Sequence, residues 1–169
     1  KKRETMEDNQ IKEIIQNTFD NVAKNYDTNK QFLISAKKMT GFIKKLKDSS
    51  KELNILDLSA GTGNISIELA KEYQKATIYA VDISSEMLNI AKEKAKEQGI
   101  ANIQFFVQDV EKLEFNTVQF DVITCGYGLF FYPNMDDVLR DVCSKLTNNG
   151  IFVFSTFTKN AFQPYGKMF

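Results

Sequence analysis

Three aspartates and a pair of glycines are the residues in this sequence whose types and spacing could hold a ligand. Asp57 precedes Gly61 and Gly63 in the stretch ILDLSAGTGN at 55–64. Glycines after a strand let the backbone approach a ligand closely, and the N-terminus of a following helix favours an anionic group. Asp57 would repel a pyrophosphate but would suit an ammonium group. The stretch therefore favours a ligand with both a carboxylate and an ammonium, as an amino acid has.

Two later aspartates extend this site. Asp82, in AVDISSEM, lies nineteen residues after Gly63, where a carboxylate accepts hydrogen bonds from two ribose hydroxyls. Asp109, in FFVQDVEKL, follows the next apolar run and could accept from an exocyclic amine. Each feature alone has a simpler explanation as a turn or a helix cap. Together an amino acid, a ribose and an amine-bearing base indicate S-adenosylmethionine.

Two other functions remain open at this point. In an NAD(P)-dependent oxidoreductase, the last position of the glycine motif would be Gly or Ala, and here it is Ser66. Asp57 would also oppose the pyrophosphate of such a cofactor. The second alternative is a non-catalytic cofactor-binding or scaffold subunit.

A parallel sheet is needed to bring these residues together. Helical spacing of apolar residues predicts an amphipathic helix over 8–24, and a second apolar face runs from Phe32 to Leu46. Apolar runs predict strands at 53–58, 77–82, 103–108, 120–125 and 150–157, with helices at about 64–74, 85–98 and 134–147. Ser84 or Ser85 can cap the helix at 85–98. Such alternation is typical of a doubly wound, mostly parallel α/β sheet, in which ligands bind at the carboxyl ends of the strands.

The chain divides into an N-terminal helical extension, 1–50, and a ligand-binding domain, 51–169. The fifth strand would expose a long apolar ladder if it lay at the edge of the sheet. We therefore expect self-association, a partner or a segment missing from this chain to cover that edge.

Composition narrows the class of protein further. The 22 basic and 22 acidic residues cancel, which gives no support for a nucleic-acid partner. We expect no membrane span and no signal peptide, since neither an apolar run of that length nor an apolar segment near Lys1 is present. The absence of histidine excludes the usual zinc sites and His-based triads. Cys125 and Cys143 are expected to be free thiols in a cytoplasmic protein.

The run from Phe19 to Thr158 resembles the class I S-adenosylmethionine-dependent methyltransferases. Within them it is similar to the ubiquinone/menaquinone-biosynthesis C-methyltransferases and related small-molecule enzymes. The resemblance is carried by FDNVAKNYD at 19–27, ILDLSAGTGN, VDISSEML, QDVEKLEF and FDVITCGYGLFFYPN. It implies a Rossmann-like sheet of order 3-2-1-4-5 that lacks the usual C-terminal strands. It also implies methyl transfer to a small molecule, with S-adenosylhomocysteine as the product.

The resemblance also implies individual roles. Tyr26 would lie over the cofactor, Asp82 on the ribose, and Asp109 with Val110 beside the adenine. The expected cofactor-binding residues are Tyr26, Asp57, Ser59, Ala60, Gly61, Gly63, Asp82, Ile83, Met87, Asp109, Val110, Cys125, Gly126 and Tyr127. No metal site and no catalytic residue is assigned.

Two departures from the family pattern lie within these motifs. Ser59 stands where many members have glycine, and Phe130 and Phe131 replace an Arg-Asn pair common in the quinone enzymes. The loss of that pair weakens the case for a quinone substrate. Tyr127 and Tyr132 are expected to shape the pocket rather than to act as bases.

Overall fold

The structure is a computed structural model, and it describes residues 6–158. The outermost parts of both predicted domains, 1–5 and 159–169, lie outside the described residues. The helices are α1 (Met6–Val22), α2 (Lys30–Lys44), α3 (Asn64–Glu72), α4 (Ser85–Glu97) and α5 (Met135–Ser144). The strands are β1 (Asn54–Leu58), β2 (Thr77–Asp82), β3 (Ile103–Val107), β4 (Phe120–Gly126) and β5 (Leu146–Ser155). Short 3-10 helices span Ala23–Thr28, Val110–Lys112 and Leu129–Phe131.

All strands of the sheet run parallel, in the order β3-β2-β1-β4-β5, so the predicted fold class and strand order are confirmed. The central strand β1 is flanked on both sides: Leu56 lies beside Tyr79 of β2 and Ile123 of β4. Because helices cover both faces, the strands consist of apolar runs rather than alternating residues. The carboxyl ends of β1, β2, β3 and β4 therefore meet at one edge, as the site requires.

The fifth strand begins earlier than predicted. The sequence favoured a helix to 147 and a strand from 150, whereas α5 ends at Ser144 and β5 starts at Leu146. Residues 147–150, Thr-Asn-Asn-Gly, are poor helix formers. The amide of Phe120 also bonds the Lys145 carbonyl at 2.8 Å. The pairing of Phe120 with Leu146 and of Val122 with Ile151 leaves an irregular bulge between them.

A hydrophobic core lies on each face of the sheet. On one face Phe120, Ile123 and Val142 of α5 are fully buried. On the other face the core includes Met39 and Ile43 of α2, so α2 shares a core with the sheet strands. The division of the chain into domains at residue 50 stays a prediction. No helix within residues 6–158 is long and apolar enough to cross a membrane.

Local signals start the helices where the sequence suggests. Ser84 caps α4, since its hydroxyl accepts from the Met87 amide at 3.1 Å. The predicted apolar face of α4, which includes Met87 and Leu88, is buried. Gly63 precedes α3 with a φ of 78°, in the left-handed region that glycine tolerates. A Cβ atom on Gly63 would lie 2.8 Å from the Cβ of Ala91, so this glycine also lets α4 pack closely against the loop.

We predict that Gly63→Ala destabilises the protein more than Gly99→Ala does. Both glycines have a positive φ, but a Cβ on Gly99 would meet nothing within 4 Å. The matched pair thus isolates the clash with Ala91 from the backbone strain common to both. Overpacking should lower the free energy of unfolding of the Gly63 variant by about 1–3 kcal/mol more, as measured by urea denaturation. Equal losses would show that the close packing of α4 contributes nothing.

Candidate functional site

A cleft opens where the carboxyl ends of the first four strands meet the N-terminal helices. Its empty volume is about 720 Å³, which includes space open to solvent. Its lining includes the predicted residues Tyr26, Ser59, Gly61, Asp82, Ile83, Met87, Asp109, Val110, Gly126 and Tyr127. Ala60 lines a smaller adjoining pocket, whereas Asp57, Gly63 and Cys125 line neither.

The loop after β1 and the end of β2 form one hydrogen-bonded unit. The Gly61 amide donates to Oδ2 of Asp82 at 2.7 Å, and the Ser84 amide donates to Oδ1 at 2.9 Å. A carboxylate offers about four acceptor sites, so Asp82 keeps capacity for further donors. Asp82 is 8 % exposed, and this burial raises its pKa. The result is a fixed acceptor pair in the wall of the cleft.

Asp57 has a different environment from the one expected. Its side chain is fully buried beneath the loop, where it accepts from Ser66 Oγ at 2.5 Å and from Thr124 Oγ1 at 2.8 Å. These bonds join β1 to the first turn of α3 and to β4. Burial raises the pKa of Asp57 to about 6. The Asp57 carboxylate does not line the cleft. The expected contact between Asp57 and an ammonium group stays a prediction.

Asp109 carries a partner that the sequence analysis missed. Its Oδ1 accepts from the Glu111 amide at 2.9 Å, and its Oδ2 accepts from the Lys12 ammonium at 2.7 Å. Lys12 also lies 2.7 Å from Oε2 of Glu111. Lys12, Ile15 and Phe19 all line the cleft, and their i, i+3, i+7 spacing puts them on one face of α1. That spacing was the available signal, but the amphipathic pattern indicated core packing equally well.

Aromatic rings form the upper wall of the cleft. Tyr26 stacks on Phe32 with centroids 4.8 Å apart, and Phe32 meets Tyr127 edge to face at 5.6 Å. Phe19 of α1 meets Phe131 edge to face at 5.2 Å. Burial raises the pKa of Tyr26 to about 12, so its hydroxyl keeps its proton at neutral pH. The rings therefore give an apolar, uncharged cover.

Ser59, Cys125 and Tyr132 meet at the base of the cleft. The Tyr132 hydroxyl lies 2.7 Å from Ser59 Oγ and 3.4 Å from the Cys125 sulfur. Burial raises the pKa of Cys125 to about 11 and that of Tyr132 well above its usual value. Both groups are therefore protonated at neutral pH, and Cys125 is not a thiolate nucleophile. Tyr132, which was expected to shape the pocket, lines the cleft. Gly128, Pro133 and Glu111 also line it and were not among the predicted site residues.

A polar cluster fastens the N-terminal helices over the glycine loop. Asp27 accepts from Lys94 Nζ at 2.7 Å, from Thr62 Oγ1 at 2.7 Å and from Asn64 Nδ2 at 2.8 Å. Lys94 also donates to the Thr62 carbonyl at 2.9 Å. These bonds hold the 3-10 helix that carries Tyr26. The Lys94 and Asn64 side chains hold the Asp27 carboxylate in its charged form and keep its pKa low.

We predict that Asp57→Asn weakens the pH dependence of stability. In the native chain the folded pKa of about 6 exceeds the ordinary 3.8, so the free energy of unfolding falls as pH rises through that interval. The variant lacks this titration. Its stability relative to the native chain should therefore rise by about 1–2 kcal/mol between about pH 5 and about pH 8, measured by urea denaturation.

Asp48→Asn is the control for that measurement. The pKa of Asp48 is lowered by hydrogen bonds from Ser50, so its titration lies below the pH interval used. It should show no pH-dependent difference from the native chain. If Asp57→Asn behaves like this control, the Asp57 carboxyl does not titrate as its burial requires.

A family model matches nearly the whole sequence. Residues 4–169 match the ubiE/COQ5 methyltransferase family. A solved S-adenosylmethionine-dependent methyltransferase from Clostridium acetobutylicum superposes with a TM-score of 0.66 at 28 % identity. That match covers 86 % of this chain and 61 % of the other.

Two curated relatives are similar over most of this sequence. The malonyl-[acyl-carrier protein] O-methyltransferase of Bacillus cereus is 31 % identical over 156 residues, which are 90 % of this chain and 55 % of that protein. The ubiquinone/menaquinone biosynthesis C-methyltransferase UbiE of Rickettsia prowazekii is 32 % identical over 157 residues, 86 % of this chain and 61 % of that protein. This chain thus spans little more than half the length of the relatives that it matches. From its sequence match and its sheet of order 3-2-1-4-5, the chain belongs to the ubiE/COQ5 methyltransferase family.

Proposed function

We propose that this chain binds S-adenosylmethionine in the cleft and serves methyl transfer to a small molecule, leaving S-adenosylhomocysteine. The observation that carries the proposal is the Asp82 carboxylate. Two backbone amides fix it at the end of β2, and its remaining acceptor capacity lies in the wall of the cleft. A vicinal diol such as that of ribose matches two acceptor oxygens on one carboxylate.

The rest of the cleft fits the two ends of such a cofactor. Ile83, Met87 and Val110 offer apolar contacts near Asp109, as a purine base needs. At the other end, Ser59, Gly61, Gly126 and Tyr127 line both the cleft and the adjoining pocket. We assign the methionine part to this end. A Cβ on Gly126 would lie 2.4 Å from Cδ1 of Ile65, so a glycine at this position lets Ile65 pack against the end of β4.

The side chains of the cleft bind and orient rather than transfer protons. When bound, the cofactor supplies an electrophilic methyl group on its sulfonium. Orienting that methyl group toward the acceptor provides much of the rate, and the ring cover of Tyr26, Phe19 and Phe131 keeps water away. Tyr132 and Cys125 hold their own protons at neutral pH. A general base therefore does not come from these two groups, and we assign no catalytic residue.

The acceptor is proposed as a small organic molecule with an apolar part. The two curated relatives are named for a quinone pathway and for malonyl-[acyl-carrier protein]. In this chain Phe131 lines the cleft and Phe130, which is 48 % exposed, lies next to it. These rings support an apolar group at the entrance. A cytoplasmic location is part of the same proposal, supported by the free thiols of Cys125 and Cys143.

We predict that S-adenosylmethionine binds this chain and that NAD does not, as measured by isothermal titration calorimetry on protein whose folding is confirmed by circular dichroism. The Asp82 carboxylate can accept from ribose hydroxyls, which both ligands contain. The glycine loop, however, lies above the buried Asp57 carboxylate, which disfavours the pyrophosphate of NAD. Absence of S-adenosylmethionine binding would refute the proposal. Incubation with methyl-labelled cofactor and a metabolite extract then separates an enzyme from a scaffold, since only an enzyme transfers the label.

We predict that Asp82→Ala weakens S-adenosylmethionine binding by about 100-fold, because two hydrogen bonds to a charged acceptor are lost. Asp121→Ala is the matched control. Asp121 also accepts a backbone amide, that of Asn54 at 3.0 Å, but near the start of β4, at the opposite end of the sheet from the cleft. The control should bind like the native chain. Equal affinities for the Asp82 variant and the control would remove Asp82 from the ribose site.

A further inference from the structure

The Lys12 ammonium is a buried charge beside Asp109, at the end of the cleft assigned to the purine base. Its side chain is 10 % exposed and lies 2.7 Å from both Oδ2 of Asp109 and Oε2 of Glu111. Lys12, Asp109 and Glu111 all line the cleft. The positive charge of Lys12 therefore lies next to the Asp109 carboxylate, which was expected to accept a hydrogen bond from the amine of a bound base.

Both oxygens of Asp109 have donors within the chain. The Glu111 amide donates to Oδ1 and Lys12 donates to Oδ2. An exocyclic amine that approaches Oδ2 meets the full positive charge of Lys12 on the same oxygen, whereas the donors on Asp82 are neutral backbone amides. The amine must therefore compete with Lys12 for the same oxygen.

We propose that Lys12 is a built-in competitor for the base amine and so sets how strongly the site prefers adenine. This inference rests on the proposed binding of S-adenosylmethionine. In the structure Lys12 bridges Asp109 and Glu111. When adenine enters, Lys12 gives up Oδ2 of Asp109 and stays paired with Glu111.

Glu111 lowers the free energy required to move Lys12 away from Asp109. Its Oε1 accepts from the Asn134 amide at 2.8 Å, which fixes the carboxylate on the loop between β4 and α5. Lys12 therefore retains an anionic partner when it leaves Asp109, and no buried charge is left alone. Without Glu111, the ion pair between Lys12 and Asp109 would be harder to break.

If a base carries a carbonyl in place of the amine, the same geometry predicts that Lys12 has the opposite effect on its affinity. Hypoxanthine presents an acceptor at that position, which Asp109 alone would repel. Lys12 can donate to that carbonyl while it stays on Asp109. Lys12 thus opposes adenine and assists hypoxanthine, which makes the ratio of the two affinities the quantity to measure.

We predict that Lys12→Met raises the preference for adenine. The measurement is the Kd of S-adenosylhomocysteine and of its inosine analogue by calorimetry, taken on the same preparation so that any loss of folded protein cancels in the ratio. The ratio of the inosine Kd to the adenosine Kd should rise about threefold or more over that of the native chain. Both ligands are uncharged at sulfur, so the lost lysine charge affects them alike.

Glu111→Gln should move the ratio the other way. The neutral amide still accepts from Asn134 but no longer offers Lys12 an anionic partner when Lys12 leaves Asp109, so the ratio should fall. Lys44→Met is the control, because Lys44 also pairs with a glutamate at 2.7 Å, Glu72, but does not line the cleft. It should leave the ratio unchanged.

The outcomes separate this inference from the proposed function. If the native chain binds S-adenosylhomocysteine but Lys12→Met leaves the ratio unchanged or lowers it, the competition by Lys12 is refuted. A shift of the ratio in the same direction in the Lys12 and Glu111 variants would also refute it. If the native chain binds neither ligand, the proposed function fails, and this inference fails with it.

Discussion

The hydrogen bond from the Gly61 amide to the Asp82 carboxylate is the contact on which the geometry of the cleft depends. It ties the loop after β1 to the end of β2, two neighbouring strands that are far apart in sequence. The loop can reach Asp82 only because Ser59, Gly61 and Gly63 all adopt a positive φ. Ser59 is the one of the three with a side chain, and its hydroxyl lies 2.7 Å from that of Tyr132. The positive φ of Ser59, which costs backbone strain in a residue with a side chain, is thus accompanied by a contact with Tyr132 at the base of the cleft.

A second layer of contacts fastens the N-terminal segment to each of the loops that form the cleft. Asp27 bonds the loop after β1, and Asp20 accepts from Ser84 after β2. Lys12 reaches Asp109 and Glu111 after β3, and Phe19 meets Phe131 after β4. The segment therefore depends on all of these loops for its position. A ligand that moves any one loop changes the contacts that hold the cover.

Local rules account for what the sequence predicted well. Periods of apolar residues gave the strands and helices, and the cap at Ser84 followed from residue type alone. Gly61, Asp82 and Asp109 line the cleft and were found because each lies at or just after the end of a predicted strand. Ile83, Met87 and Val110 were expected there from the family resemblance. The start of β5 was misplaced because the pairing of Leu146 with Phe120, a contact with a distant strand, overrode the helical pattern.

The sequence by itself determined the strand–helix order and the placement of Asp57, Asp82 and Asp109 at strand ends, because these depend on residue type and spacing along the chain. The tertiary structure decided which groups each carboxylate contacts. Asp57 is buried against Ser66 and Thr124, Asp82 is held by two amides at the cleft, and Asp109 is paired with Lys12. Lys12 is 97 residues from Asp109. Such a pairing arises only when α1 is laid across the sheet edge, and no local pattern in either segment encodes it.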